Sequence, residues 1–259
     1  MNVHTVLAPN PGPYTGPGTN TYLIADEGEM VVLDPGPRLA GHRAEIVAAC
    51  AGATPVAVVA THTHPDHAPL ANPLAIDLGV PVLGYAAGPD FAPDRTIDDG
   101  GTIRVGRIEL VAVHTPGHTA DHLCFMVGDR LFTGDHIMGG STVVIEDAAA
   151  YMDSLYKVRD LAVARIEPGH GTAMDDAGAV IDEYIDHRKM RERQIVAAIA
   201  AGANTVPDLV AVVYGQVPSE VLPAAAHQVR VQLDKLSREG AVLLVPGGAG
   251  TEPRVELAR

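Results

Sequence analysis

An α/β fold carrying a small carboxy-terminal winged-helix-like module is the expectation from two features of this chain. Residues 1–174 read as strands alternating with loops and a few helices. After about Asp175 the composition shifts to helical stretches closed by a hairpin. Domains usually run about 100–200 residues, so 259 residues make one large domain, or one domain plus an appendage. The division expected is a catalytic domain over 1–174 and a helical linker with the module over 175–259.

In chain order, a short strand is expected at 3–7. Strands at 21–25 and 30–34 flank the turn Asp26-Glu27-Gly28-Glu29 and form a hairpin. The Ala-rich stretch 39–51 is a helix stopped by Gly52. The continuous apolar run 56–60 has strand length and reads as a buried strand. A helix at 70–78, despite Pro73, and a strand at 81–84 follow. Strands at 102–105, 107–113, 122–127 and 130–133 come next, the last pair turning at Gly128-Asp129. A helix at 149–161, with Tyr151, Met152, Leu155 and Tyr156 on one face, precedes a strand at 164–167. Helices at 177–201, 206–214 and 219–238 and strands at 242–245 and 254–257, joined through 246–250, complete the module.

Hydrophobic residues make up 47% of the chain and charged ones 19%, enough for a sizeable core and incompatible with a disordered chain. With 18 Lys+Arg against 32 Asp+Glu, the net charge of −14 argues against a general phosphate-backbone binder. Aromatics are 4%, with no Trp, so stacking platforms for single-stranded nucleic acid are not expected. Cys50 and Cys124 form no CxxC pair and read as buried small hydrophobes. No apolar run approaches the about 20 residues of a membrane span, and the first residues show no basic or apolar leader pattern. A cytoplasmic protein without membrane partners is the expectation.

Twelve histidines are present, and their placement carries the chemistry. His62, His64, Asp66 and His67 lie in H-x-H-x-D-H directly after the buried strand 56–60. Imidazoles and a carboxylate are preferred zinc ligands, and a loop at a strand end can fold four of them round an ion. His118, Asp135 and His170 follow three other strands, each preceded by a glycine that permits an unusual turn. Five His and two Asp at the ends of four strands suit two metals about 3.5–4 Å apart with a shared ligand.

With these residues the chain resembles the metallo-β-lactamase superfamily. The resemblance implies a four-layer αβ/βα sandwich with the site at one edge. It implies a first metal on His62, His64 and His118, a second on Asp66, His67 and His170, and Asp135 bridging. The stretches 18–24, 114–122, 133–147, 167–171 and 184–195, with the module, resemble more narrowly the β-lactamase-like protein 2 group, which includes an RNA endonuclease and relatives acting as polyketide thioesterases. After His67, Ala68-Pro69-Leu70 stands where many members have glycine-containing turns. No Glu replaces a ligand His, as it does in the di-iron branch.

The chemistry expected is hydrolysis by a dinuclear zinc centre. Two ions lower the pKa of a bridging water from about 15.7 to about 7, which gives a hydroxide for an ester, thioester or phosphodiester. Asp66 is the catalytic candidate, binding the second metal and handling the proton. A metal-dependent endoribonuclease is the alternative, followed by a mono-iron sulfur dioxygenase and a nucleic-acid-binding regulator. Residues 175–259 hold nine basic and twelve acidic residues, so the module offers no basic lobe and RNA is disfavoured. The expected partner is a small-molecule or carrier-linked substrate. The module is expected to pack on the catalytic domain, shape the cleft or make a homodimer contact. Among other residues, His114 is read as orienting the 116–118 turn, and His122 and His136 as candidate supports of the ligands. His4, His42, His187 and His227 are read as surface or packing residues. Arg188, Lys189, Arg191 and Arg193 are read as a solvated helix face, with a substrate phosphate or carboxylate as the other use. The 16–20 turn is read equally as a cleft border or a tight turn.

Overall fold

The computed structural model describes residues 1–139, 143–247 and 253–258. Two six-stranded sheets face each other. The first is ordered β1 (Asn2–Leu7), β2 (Asn20–Asp26), β3 (Glu29–Leu33), β4 (Thr54–Val59), β5 (Val82–Gly84), β6 (Arg95–Thr96). The second contains β7 (Thr102–Val105), β8 (Ile108–His114), β9 (Leu123–Val127), β10 (Arg130–Gly134), β11 (Arg165–Pro168) and β12 (Met174–Asp175), side by side in that order. Strand β2 shows why the sheet is buried on both faces. Tyr22 and Ile24 point into the space between the sheets, where they meet Leu110, Phe125 and Phe132. Leu23, between them in sequence, points outward with Val32 and Val58 onto the helices α1 (Ala40–Ala49) and α2 (Ala71–Leu78), through Ile46 and Leu74. The other sheet is covered by α3 (Ala148–Arg159) and the first half of α4 (Ala177–Ala200), whose Tyr151, Leu155, Ile181 and Ile185 pack on Leu131 and Ile166. The layers run helix, sheet, sheet, helix.

Strands β6 and β12 are additions to the sequence reading. Each is two residues long, too short to show periodicity. Helix α2 tolerates Pro73 because it falls in the first turn, where a backbone N–H has no helical partner. The hairpin between β2 and β3 closes with Asp26 opposite Glu29, and Glu27 and Gly28 both take positive φ, as a two-residue turn of that hand requires.

The second half of α4 supplies Ile195, Ala198 and Ile199 to a separate core with α5 (Val206–Val213), α6 (Leu222–Arg238) and the hairpin β13 (Val242–Val245), β14 (Arg254–Leu257). The helix expected over 219–238 is instead a 3-10 turn at Ser219–Val221 followed by α6, because Pro223 is placed in the first turn of a new helix. Part of the 246–250 connection, residues 248–250, lies outside the described residues. The module docks through α6. Gln228 donates to the Ile145 carbonyl at 3.0 Å, and Arg238 reaches Asp147, the N-cap of α3, at 3.2 Å. Among the described residues no helix is long and apolar enough to cross a membrane.

Candidate metal centre and cleft

The parallel pair β3 and β4 and the co-directional strands β8, β10 and β11 all end at one edge of the sandwich. The loops that leave those ends carry all seven residues singled out above into one place. His62, His64, His118 and Asp135 form one group, and Asp66, His67, Asp135 and His170 form another. In the first, His118 Nε2 lies 3.3 Å from His62 Nε2 and 3.0 Å from His64 Nδ1. Asp135 Oδ2 is 3.5 Å from the same His118 nitrogen. In the second, His67 Nε2 and His170 Nε2 are 3.2 Å apart, and Asp135 Oδ1 is 3.2 Å from each. Asp66 Oδ2 stands 3.1 Å from His170 Nε2.

The outer ring nitrogens decide which way the lone pairs point. His118 Nδ1 donates to the Val144 carbonyl at 2.6 Å, and His170 Nδ1 to the Gly18 carbonyl at 3.0 Å. His67 Nδ1 donates to Asp34 Oδ2 at 2.9 Å, and His62 Nδ1 to Thr61 Oγ at 3.0 Å. With the proton held outside, four Nε2 lone pairs converge on the centre, and Asp135 Oδ1 is left buried with no donor. Converging lone pairs and an orphaned carboxylate oxygen are a donor set for cations, and the nitrogen and oxygen chemistry suits zinc.

The electrostatics of the protein alone point the same way. Burial, with His67 and His118 nearby, holds His62 well below its ordinary value. Burial also disfavours a charged His67, but Asp135, Asp66 and Asp34 outweigh it and hold that imidazole well above the usual range. Burial opposes charge on His170 too, yet the neighbouring carboxylates of Asp135 and Asp66 raise it to about 9. Asp66, despite burial, is held down to about 2 by His67 and His170. The pocket attracts positive charge.

The three glycines have separate reasons. Gly117 takes φ +133°, and a Cβ there would lie 2.4 Å from the Tyr151 Cα. Gly134 takes φ +47°, and its Cβ would lie 2.8 Å from His122 Nε2. Gly169 needs no unusual φ, but a Cβ would sit 2.8 Å from the His67 ring.

One support, Asp34, was not legible in the sequence. Asp34 is buried and accepts from Thr61 N, Thr61 Oγ and His67 Nδ1 at 2.7, 2.9 and 2.9 Å. Its signal was an Asp ending an apolar strand, the pattern that also marks Asp135. His122 accepts from the Asp135 amide at 3.2 Å and so orients that loop, whereas His136 is buried beside Tyr151. The 16–20 turn backs the centre, since Gly18 holds His170 and Asn20 N donates to the Gly169 carbonyl at 2.8 Å. His114 donates to Ala120 O at 2.9 Å across the turn that presents His118. The basic stretch is not a uniform solvated face. Arg188 is 5% exposed and donates to the Val143 carbonyl and Gln228, because α6 covers it.

Above the centre lies a cavity of about 550 Å³. His64, Asp66, His118, Asp135 and His170 form its floor, and Pro13, Tyr14, Met138, Val144 and Ala224 its apolar walls. His227, read as a surface or packing residue, lines it from α6.

The Metallo-beta-lactamase superfamily profile matches residues 14–87 and 69–171, and the Beta-lactamase associated winged helix domain matches 205–246. The chain belongs to the metallo-beta-lactamase superfamily. A Beta-lactamase-like protein 2 homolog of Caenorhabditis elegans is 35% identical over 252 residues, covering 93% of this chain and 85% of its own. An Atrochrysone carboxyl ACP thioesterase of Aspergillus chevalieri is 36% identical over 232 residues, covering 83% and 74%. A Beta-lactamase domain protein from Burkholderia ambifaria superposes with a TM-score of 0.84 at 19% identity, over 99% of this chain and 91% of that one. The superfamily assignment made from the His/Asp pattern, the four-layer sandwich and the winged module are all borne out.

Proposed function

We propose that this metallo-beta-lactamase superfamily hydrolase holds two zinc ions and cleaves a thioester or related ester of a small or carrier-linked acyl group. One observation carries the reading. Two groups of donors sharing Asp135 lie at the floor of a cleft whose walls are largely apolar and whose lining, among the described residues, contains no lysine or arginine. Such walls directly over the donors suit an acyl chain better than a run of phosphates. The thioesterase relative is consistent with that choice. His62, His64 and His118 would hold one ion, Asp66, His67 and His170 the other, and Asp135 both. Bound there, two such ions would supply an acidified water and a Lewis acid for the substrate's oxygen.

The chain's own residues do the rest. Asp66 spends Oδ2 on His67 and His170, which leaves Oδ1 without a protein partner among the described residues to accept the nucleophile's proton. Its carboxylate is held near 2 by His67 and His170 and so is ionised at neutral pH. Tyr14, Met138 and Val144 exclude water from the acyl group. The buried, free Cys50 and Cys124 fit a reducing cytoplasm.

The test pairs metal content with a substrate screen over acyl thioesters, lactones, bis-nitrophenyl phosphate and single-stranded RNA. Two zinc ions per chain and turnover of thioesters or lactones are expected. A preference for RNA or the phosphodiester would overturn the acyl reading, and a single redox-active iron would overturn the zinc reading.

A further inference from the structure

Past Tyr14 the cleft continues into a second chamber of about 210 Å³. Pro13, Tyr14, Val144 and Ala224 wall both spaces, so one extended ligand can occupy the two. Their charges differ. The space over the centre is lined by Asp66, Asp135 and Glu146. The chamber takes His187, Arg188 and Arg191 from α4 and, among the described residues, no carboxylate.

In a chain with 32 acidic residues against 18 basic, these two arginines make only neutral hydrogen bonds among the described residues. Arg188 donates to Gln228 Oε1 and the Val143 carbonyl, and Arg191 to Gln194 Oε1 and the Val213 carbonyl. Both bonds of Arg191 use Nη1, and Nη2 is unspent. The Nε of each arginine is buried without an acceptor. Each guanidinium lies over a ring, Arg188 at 4.7 Å from Tyr151 and Arg191 at 4.8 Å from Tyr214, which offsets part of the burial cost but leaves the charge uncompensated. Neighbouring groups register that field. Burial lowers His187 and the two arginines lower it further, against Glu183. Burial raises Tyr214, and both arginines oppose the rise.

We propose that this chamber is an anion subsite, in which Arg191, backed by Arg188, holds a carboxylate or phosphate at the far end of the substrate while the scissile carbonyl lies over the His/Asp centre. A guanidinium with a free edge suits either group. The anion has two sources, an ω-carboxylate on the acyl chain or the phosphate of a phosphopantetheine leaving arm. The proposal rests on the acyl-hydrolase reading for its geometry, and its test is built to fail separately.

Full-length, zinc-loaded protein is assayed on two substrate pairs. One is the N-acetylcysteamine thioesters of hexanoate and of adipate. The other is hexanoyl-pantetheine and hexanoyl-4′-phosphopantetheine. The anionic member of one pair is expected to be favoured about tenfold or more in kcat/KM, as a charge-assisted hydrogen bond supplies. The responding pair tells which source the subsite reads. Arg191→Gln should collapse that ratio toward one. Val217→Glu, which adds a carboxylate at the chamber wall and leaves both arginines in the chain, should do the same. Calorimetric titration with adipate and with 4′-phosphopantetheine reads binding without turnover, and binding of one of them should weaken in both variants. Equal kcat/KM within both pairs, together with no variant-sensitive binding, overturns the subsite and leaves hydrolysis standing. If no thioester is hydrolysed, the thioester reading falls, and the titrations alone decide the subsite.

Discussion

Asp34→Asn separates the two proposed metal positions. Asp34 adopts φ +52°, a left-handed conformation that Asn tolerates better than any other residue with a side chain except Asp, so the backbone should stay in place. The Asn oxygen can keep the 2.7 Å bond from the Thr61 amide. The amide nitrogen then replaces Oδ2, the atom that accepts from Thr61 Oγ and His67 Nδ1 at 2.9 Å each. A donor now faces Nδ1, so the His67 proton moves to Nε2, the nitrogen that points at Asp135 and His170. That nitrogen can no longer coordinate until the tautomer is forced back. Loss of such an outer partner typically costs 10–100-fold in metal affinity, or about 1.4–2.7 kcal/mol. His62 keeps Thr61 Oγ as its outer partner and His118 keeps the Val144 carbonyl, so the other position should weaken far less. Metal-free stability should fall by about 2–4 kcal/mol as buried charge-assisted bonds become neutral ones. Zinc titration against a chelator of known affinity, with thermal unfolding of the metal-free protein, reads both effects. Equal weakening of both positions, or of neither, would refute the tautomer argument.

Asp66→Ala should reduce hydrolysis by more than a hundredfold while a first zinc still binds, since His62, His64 and His118 are untouched; turnover near wild type would remove Asp66 from proton handling. Gly117→Ala combines a 2.4 Å approach to the Tyr151 Cα with an unfavourable φ, and a melting curve should show about 2–5 kcal/mol of lost stability. Deleting residues 203–259 strips the cover from Ile195, Ala198 and Ile199 and removes Ala224 and His227 from the cleft; the truncated chain should melt earlier and turn over small substrates poorly. Asp147→Ser keeps a helix cap but loses the half-exposed contact to Arg238, costing under about 1 kcal/mol near neutrality. Because bonds from Arg238 and the α3 amides outweigh burial and lower the folded carboxyl's pKa, the wild-type advantage should be full above the ordinary Asp pKa. It should vanish as pH falls through the lowered one, which denaturant melts across the acid range would show.

From the amino-acid order alone, the α/β class, most element positions and all seven members of the centre could be read. The reason is local. Apolar runs such as 56–60 mark buried strands, and a set of His and Asp donors packed into residues 62–67 needs only its own loop to be recognised. Proline and glycine told where helices end, although Pro223 moved the start of α6 in a way that periodicity at 219–238 did not show. The supports and the walls were another matter. Asp34 is 33 positions from His67, and Gly18 is 152 from His170. Those partners meet because parallel strands end at a common sheet edge, and nothing in either local stretch encodes that meeting. Arg188 looked like part of a charged surface helix until α6 folded over it, and His227 looked like a surface or packing residue until the same docking set it beside the cleft. Ligand chemistry is carried by residue type and short spacing. Burial, tautomer and cleft shape arise from contacts between segments far apart in the chain, and the tertiary structure alone decides them.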